Sequence, residues 1–97
     1  MILEAVMLYI KPGQSAEFEA AFRQAAPIIS ASKGHIRHEL NKCMEADDKY
    51  LLLVWWETLE DHTQGFRGSA AYQDWKKLLH HFYDPFPTVE HFTRVNA

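Results

Sequence analysis

Tyr50-Leu51-Leu52-Leu53-Val54-Trp55-Trp56-Glu57 is the stretch on which the fold turns. Free of glycine and proline and rich in aliphatic and aromatic side chains, it reads as a β-strand. Side chains alternate across a strand, so Leu51, Leu53 and Trp55 line one face and Leu52, Val54 and Trp56 the other. Both faces are apolar. Ile2–Ile10 repeats the pattern, with Leu3, Ala5 and Met7 opposite Val6, Leu8 and Ile10, and ends at the turn Lys11-Pro12-Gly13.

The segments around these two strands supply the rest. From Gln14 to about Ser32, Phe18, Phe22, Ala25 and Ile29 recur at spacings of three and four, one apolar stripe of a helix. Ser15 is its expected N-cap, Glu17 and Glu19 suit the positive end of its dipole, and Pro27 is expected to kink or end it near Ala26. After the turn Ser32-Lys33-Gly34, His35–Cys43 alternates, with Ile36, His38 and Leu40 on one side and His35, Arg37, Glu39 and Asn41 on the other. Ala46-Asp47-Asp48-Lys49 is a polar hairpin loop. Thr58-Leu59-Glu60-Asp61 has the spacing of a capping box and opens a second helix. Gly68-Ser69 interrupts that helix, and Ser69 recaps it through Tyr72, Trp75, Leu78, Leu79 and Phe82. Asp84-Pro85-Phe86-Pro87 is extended because residues before proline avoid the helical region, and Thr88–Val95 is the last strand. The order is strand, helix, strand, strand, helix, strand: one α+β domain over residues 1–97, ferredoxin-like βαββαβ, with an antiparallel sheet and two helices on one face.

Two helices cover one face of such a sheet. The other leaves apolar surface on the order of several hundred Å2 in water, more than monomers usually expose. A second copy related by a two-fold axis hides it, so a homodimer is expected; the alternative is that the aromatic tail from Phe82 to Phe92 folds back over the open face. A net charge of −3 with interspersed signs argues against a nucleic-acid partner, because neutralising phosphates needs a basic face. Cys43 is the single cysteine and forms no internal disulfide. Ile2–Ile10 has no basic residues ahead of it, no small-residue cleavage site behind it, and Glu4 within it, so it is a strand and not a leader. No run approaches the roughly 18 apolar residues of a membrane span. A cytoplasmic protein away from membranes is expected.

Leu53-Val54-Trp55-Trp56-Glu57-Thr58-Leu59-Glu60-Asp61-His62-Thr63-Gln64-Gly65-Phe66, followed by Ser69-Ala70-Ala71-Tyr72-Gln73-Asp74-Trp75, resembles the antibiotic biosynthesis monooxygenase domain. Lys11-Pro12-Gly13 and Asp84-Pro85-Phe86-Pro87-Thr88-Val89-Glu90-His91-Phe92 fit the same pattern, so the resemblance spans nearly the whole chain. It implies a dimeric α+β barrel in which open sheet faces meet. It does not select a reaction, since the family includes cofactor-free oxygenases of aromatic polyketides, quinol oxidases, haem-degrading enzymes and an isomerase of a sugar-derived signal. Haem-degrading members use an asparagine on the first strand and a tryptophan and histidine on the second helix. Here Phe66 and Lys76 stand at the latter positions and the core of the first strand has no asparagine, which disfavours haem cleavage. Many other members carry a histidine where Phe66 stands. His62 lies four residues earlier, one helical turn back on the same face.

His62 is the leading catalytic candidate. A buried helix start lowers its pKa and favours the neutral imidazole that acts as a base; otherwise it is a first-turn histidine bonded to a nearby acid. Tyr72 either donates a hydrogen bond to a substrate oxygen or is a core aromatic with its hydroxyl at the surface. Trp55 and Trp56 point to opposite faces, so at most one lines a given substrate pocket. Phe66 continues the His62 face as an apolar wall, and His38 is a polar group on an apolar strand face, either a ligand contact or a satisfied core histidine. His80 and His81, adjacent near a helix end, are expected to be solvated. No metal signature is present, since His35 and His38 are expected on opposite sides of their strand, and no glycine-rich phosphate loop points to a nucleotide or flavin.

These parts suit a cofactor-independent monooxygenase acting on a small aromatic or quinol-type substrate with dioxygen. An electron-rich substrate, once deprotonated, gives an electron to oxygen itself; the protein supplies a base, a donor that holds the anion, and a dry pocket. A proton-transfer isomerase uses the same parts. The rival class is a non-catalytic small-ligand-binding or stress-response dimer, in which the aromatic residues are core and dimer seam.

Overall fold

The computed structural model describes all residues from Met1 to Ala97. Its elements are β1 (Ile2–Tyr9), α1 (Ser15–Ser30), β2 (His35–Lys42), β3 (Lys49–Trp56), a π-helical turn (Asp61–Phe66), α2 (Ala70–Leu79), a 3-10 turn (His80–Phe82) and β4 (Val89–Phe92). The strands form one antiparallel sheet in the order β2-β3-β1-β4, the expected α+β, ferredoxin-like arrangement.

The core lies between one sheet face and the helices. Val6, Leu8, Ile10, Tyr50, Leu52, Val54 and Trp56 project from β1 and β3 and meet Phe18, Phe22, Ala25 and Ile29 of α1. Phe66, Trp75, Leu79 and Phe82 close it from the second helical segment. The helical periodicity of α1 thus names its buried stripe residue for residue. On the opposite face, the register Leu3↔Trp55, Ala5↔Leu53 and Met7↔Leu51 sets apolar side chains side by side. Met7 (39%) and Tyr9 (42%) there are exposed. The aromatic tail does not cover this face: Phe82 turns into the helix-side core, and β4 extends the sheet along the edge of β1.

Several local expectations need correction. Pro27 does not end α1, which continues to Ser30 with the Ala31 amide donating to the Pro27 carbonyl at 3.1 Å. The proline forgoes its own hydrogen bond and crowds the preceding turn, but Ile29, buried against the core, keeps the last turn in place. Ser15 is not the N-cap; Gln14 is, without a side-chain bond, while the Ser15 hydroxyl donates to Oδ1 of Asp48 at 2.5 Å. In β2 a bulge falls between His35 and Arg37, which pair with the successive residues Trp56 and Trp55. The extra residue, Ile36, turns outward, and the alternation resets, so His35 joins His38 on one side with ring nitrogens 2.9 Å apart. The last strand, Val89–Phe92, is shorter than Thr88–Val95.

The second helix begins as expected, with Thr58 Oγ1 accepting the Asp61 amide at 3.1 Å. It then widens into a π-helical turn, closed by the Arg67 amide donating to the His62 carbonyl at 3.1 Å. Ser69 restarts it as α2 by accepting the Tyr72 amide at 3.2 Å. No helix is long and apolar enough to cross a membrane.

Candidate active site

A cavity of about 280 Å3 opens on the helix side of the sheet, between β1, the π-helical turn, α2 and the segment that follows α2. Its walls are apolar where Val6, Leu8, Phe66, Trp75 and Val89 meet it. Glu4, His62, Arg67, Tyr72, His80 and Tyr83 bring the polar groups.

At its back the structure builds a file of hydrogen-bonding side chains from four elements. Glu4, on the core face of β1, is 6% exposed and accepts the indole N–H of Trp56 at 2.9 Å. Burial pushes the Glu4 carboxyl up, and this hydrogen bond and the positive charge of Arg67 only partly offset the shift. His62 stacks on Trp56 with ring centroids 5.3 Å apart, and its Nε2 lies 3.4 Å from Oε1 of Glu4. Its other nitrogen, Nδ1, sits 2.8 Å from Nε2 of His91 on β4. Glu4 and His91 are direct cross-strand partners, so the sheet register itself holds the ends of this file together. His62 is lowered to about 3 by burial, then by Arg67 and by His91, so its ring is neutral near pH 7 and its contact with Glu4 is no ion pair. His91, half-buried, is also lowered by burial and by Arg67.

Tyr72 and Tyr83 bring hydroxyl-bearing side chains to the same cavity. Tyr72 packs edge-on against Phe66 with centroids 5.3 Å apart. Tyr83 is held by a bridge between Ile10 and Tyr83 and by the Asp84 amide, which donates to the Tyr9 carbonyl at 2.9 Å. Burial, Tyr72 and Glu4 all raise the Tyr83 pKa, so it stays a hydroxyl donor. His80 lies within 6.0 Å of the Tyr72 ring, 5.6 Å of Tyr83 and 5.1 Å of Phe86, ring centroid to centroid. Its expected solvation is therefore corrected: the 3-10 turn rotates His80 into the cavity wall, where burial and then Lys76 lower its pKa, and leaves His81 outside.

Of the residues singled out from sequence, His62, Phe66 and Tyr72 meet at this cavity, and Trp56 backs it through His62 and Glu4. Trp55 does not reach it. It faces the open side of the sheet beneath the Arg37 guanidinium, 3.8 Å from the ring centroid. His38 lies away from the cavity, bonded to His35 and edge-on to Phe22 at 6.0 Å. Glu4, Arg67, His80, Tyr83 and His91 were missed. Glu4 carried a readable signal, a lone acid on the strand face shared by Val6, Leu8 and Ile10; His91 did not, because its neighbours depend on strand order.

A family model for antibiotic biosynthesis monooxygenases matches residues 1–78. The uncharacterized protein YczJ of Bacillus subtilis (strain 168) is 70% identical over 95 residues, covering 98% of this chain and 100% of YczJ. A Bordetella bronchiseptica structure ascribed to the same monooxygenase class superposes with a TM-score of 0.92 at 36% identity, covering 97% of this chain and 96% of that one. SnoaB of Streptomyces nogalater, a cofactor-independent oxygenase, shares the fold with a TM-score of 0.74 at 23% identity, over 99% of this chain and 95% of SnoaB.

Proposed function

The chain belongs to the antibiotic biosynthesis monooxygenase family, and from that premise we propose that it is a cofactor-independent monooxygenase of small, electron-rich aromatics of the hydroquinone class. The observation that carries this reading is the buried acid–histidine file that shares one cavity with two tyrosines, Tyr72 and Tyr83. A phenolic hydroxyl entering there meets Glu4, whose raised pKa brings it closer to neutrality as a proton acceptor. His62 stays neutral beside it and shares the proton without holding a charge. Tyr72 and Tyr83 line the same cavity and donate hydrogen bonds to the phenolate. The anion passes one electron to dioxygen and the radical pair combines. One oxygen atom ends as a quinone carbonyl on the ring, and the other leaves as water with the two hydrogens removed from the substrate.

We place the enzyme in the cytoplasm as a homodimer, paired through the apolar sheet face opposite the cavity. The test is oxygen consumption by the purified protein across a panel of hydroquinones. Uptake is expected with at least one, and His62→Gln and Tyr72→Phe should each lower kcat/KM by about 10- to 1,000-fold. Absence of uptake across the panel rejects the enzymatic reading in favour of a ligand-binding module.

A further inference from the structure

The catalytic reading leaves a proton on an acid buried at the back of the cavity, and the geometry points to a built exit: we infer that Glu4, His62 and His91 form a relay that passes the substrate's proton from the cavity to the outer edge of the sheet. The inference rests on the proposed deprotonation at Glu4 and goes beyond it by giving roles to the two histidines. Glu4 lines the cavity and is 6% exposed, so a substrate seated over it cuts a proton it accepts off from the water at the cavity mouth. His62 is 3% exposed and touches both neighbours, one through each ring nitrogen: Nε2 at 3.4 Å from Glu4 Oε1, and Nδ1 at 2.8 Å from His91 Nε2. His91 sits on β4, the edge strand, and is the only member of the file that is not fully buried.

Imidazole suits this task because it accepts on one nitrogen while donating from the other. A proton on Glu4 moves to Nε2 of His62 as the proton on Nδ1 of His62 moves to Nε2 of His91, and His91 gives up its other ring proton to water. One proton enters, one leaves, and no ring ends with a charge. The surroundings favour transfer over storage. Arg67, the residue that caps the π-helical turn, lowers the pKa of both histidines, and Trp56 of β3 keeps Glu4 Oε1 turned toward His62. The three groups are strung end to end and do not converge on a common centre. His91 is thus a positioning residue that acts through His62.

The test is His91→Gln in the full-length protein, followed by oxygen uptake with the best hydroquinone. The relay predicts a fall in kcat of about 10- to 100-fold with KM unchanged, a larger solvent deuterium effect, and recovery of kcat on adding imidazole buffer. Unchanged kcat, or a loss that imidazole does not restore, overturns it. Nitrogen-15 NMR of the histidine rings reads the relay without turnover, which separates it from the function. Coupling across the His62–His91 hydrogen bond, with both rings shifting tautomer together in Glu4→Gln, supports it even if no hydroquinone reacts. Independent behaviour of the two rings rejects it even if hydroquinones do react.

Discussion

Trp56 is fully buried and donates the single hydrogen bond that stabilises the Glu4 carboxylate, at 2.9 Å. Trp56→Phe keeps an aromatic ring beside His62 but leaves the buried acid without that donor, at a cost of about 1 to 3 kcal/mol. Denaturant unfolding should show it as a lower midpoint, and titration of Glu4 should move further upward; an unchanged midpoint would mean that the bond contributes nothing net. His62 gives the chain a pH signature of its own. Its folded pKa, about 3, lies below its ordinary 6.5, so between those values the unfolded chain binds the extra proton. The stability it contributes is complete above pH 6.5 and is lost as pH falls toward 3. His35, His38, His80 and His91 are shifted the same way, so thermal melts should show a falling Tm across that window. His62→Gln should flatten the slope, and an equal slope in that variant would remove His62 as its main source. The sequence made His62 legible because a histidine near a helix start on an apolar face already argues for burial. It hid His91, whose meeting with His62 needs β4 to lie beside β1, a long-range pairing that no local pattern encodes.

At the scale of elements, local chemistry and tertiary packing divide the work visibly. The stripe of α1, the Thr58 and Ser69 caps and the double-faced β3 are all set by short-range spacing, and each was readable. The π-helical turn and the β2 bulge were not, because each inserts one residue to satisfy a neighbour rather than its own periodicity. The π-helical turn has a backbone reason to end where it does. A Cβ on Gly68 would stand 2.4 Å from the Gln64 carbonyl oxygen, which is backbone and cannot swing aside. Gly68→Ala should therefore force the turn to rewind, costing about 1 to 3 kcal/mol and displacing His62 and Phe66 from the cavity. Chemical denaturation measures the first effect, and loss of the His62–His91 coupling by NMR the second. A variant with native stability and intact coupling would show that the turn tolerates a side chain there.

For the molecule as a whole, the decisive asymmetry is between its two sheet faces. One is sealed by α1 and α2, and the same arrangement creates the cavity; the other carries Leu3, Ala5, Met7, Leu51, Leu53 and Trp55 with no element of the chain above them. Water against such a patch is costly at roughly 25 cal/mol per Å2, and a two-fold partner offers the same apolar surface in return. Leu53 sits near its middle, paired with Ala5 of β1 on one side and Glu39 of β2 on the other. Sedimentation equilibrium should give a mass near twice the 11.3 kDa of one chain. Leu53→Asp would bury two charges at a two-fold seam and should return the mass to that of one chain. The cavity lies on the far side of the sheet, so the monomeric variant should keep the His62–His91 coupling even as its Tm falls. A wild-type mass of a single chain would sink the dimer, and loss of the coupling in Leu53→Asp would mean that the seam and the cavity are mechanically joined through the sheet.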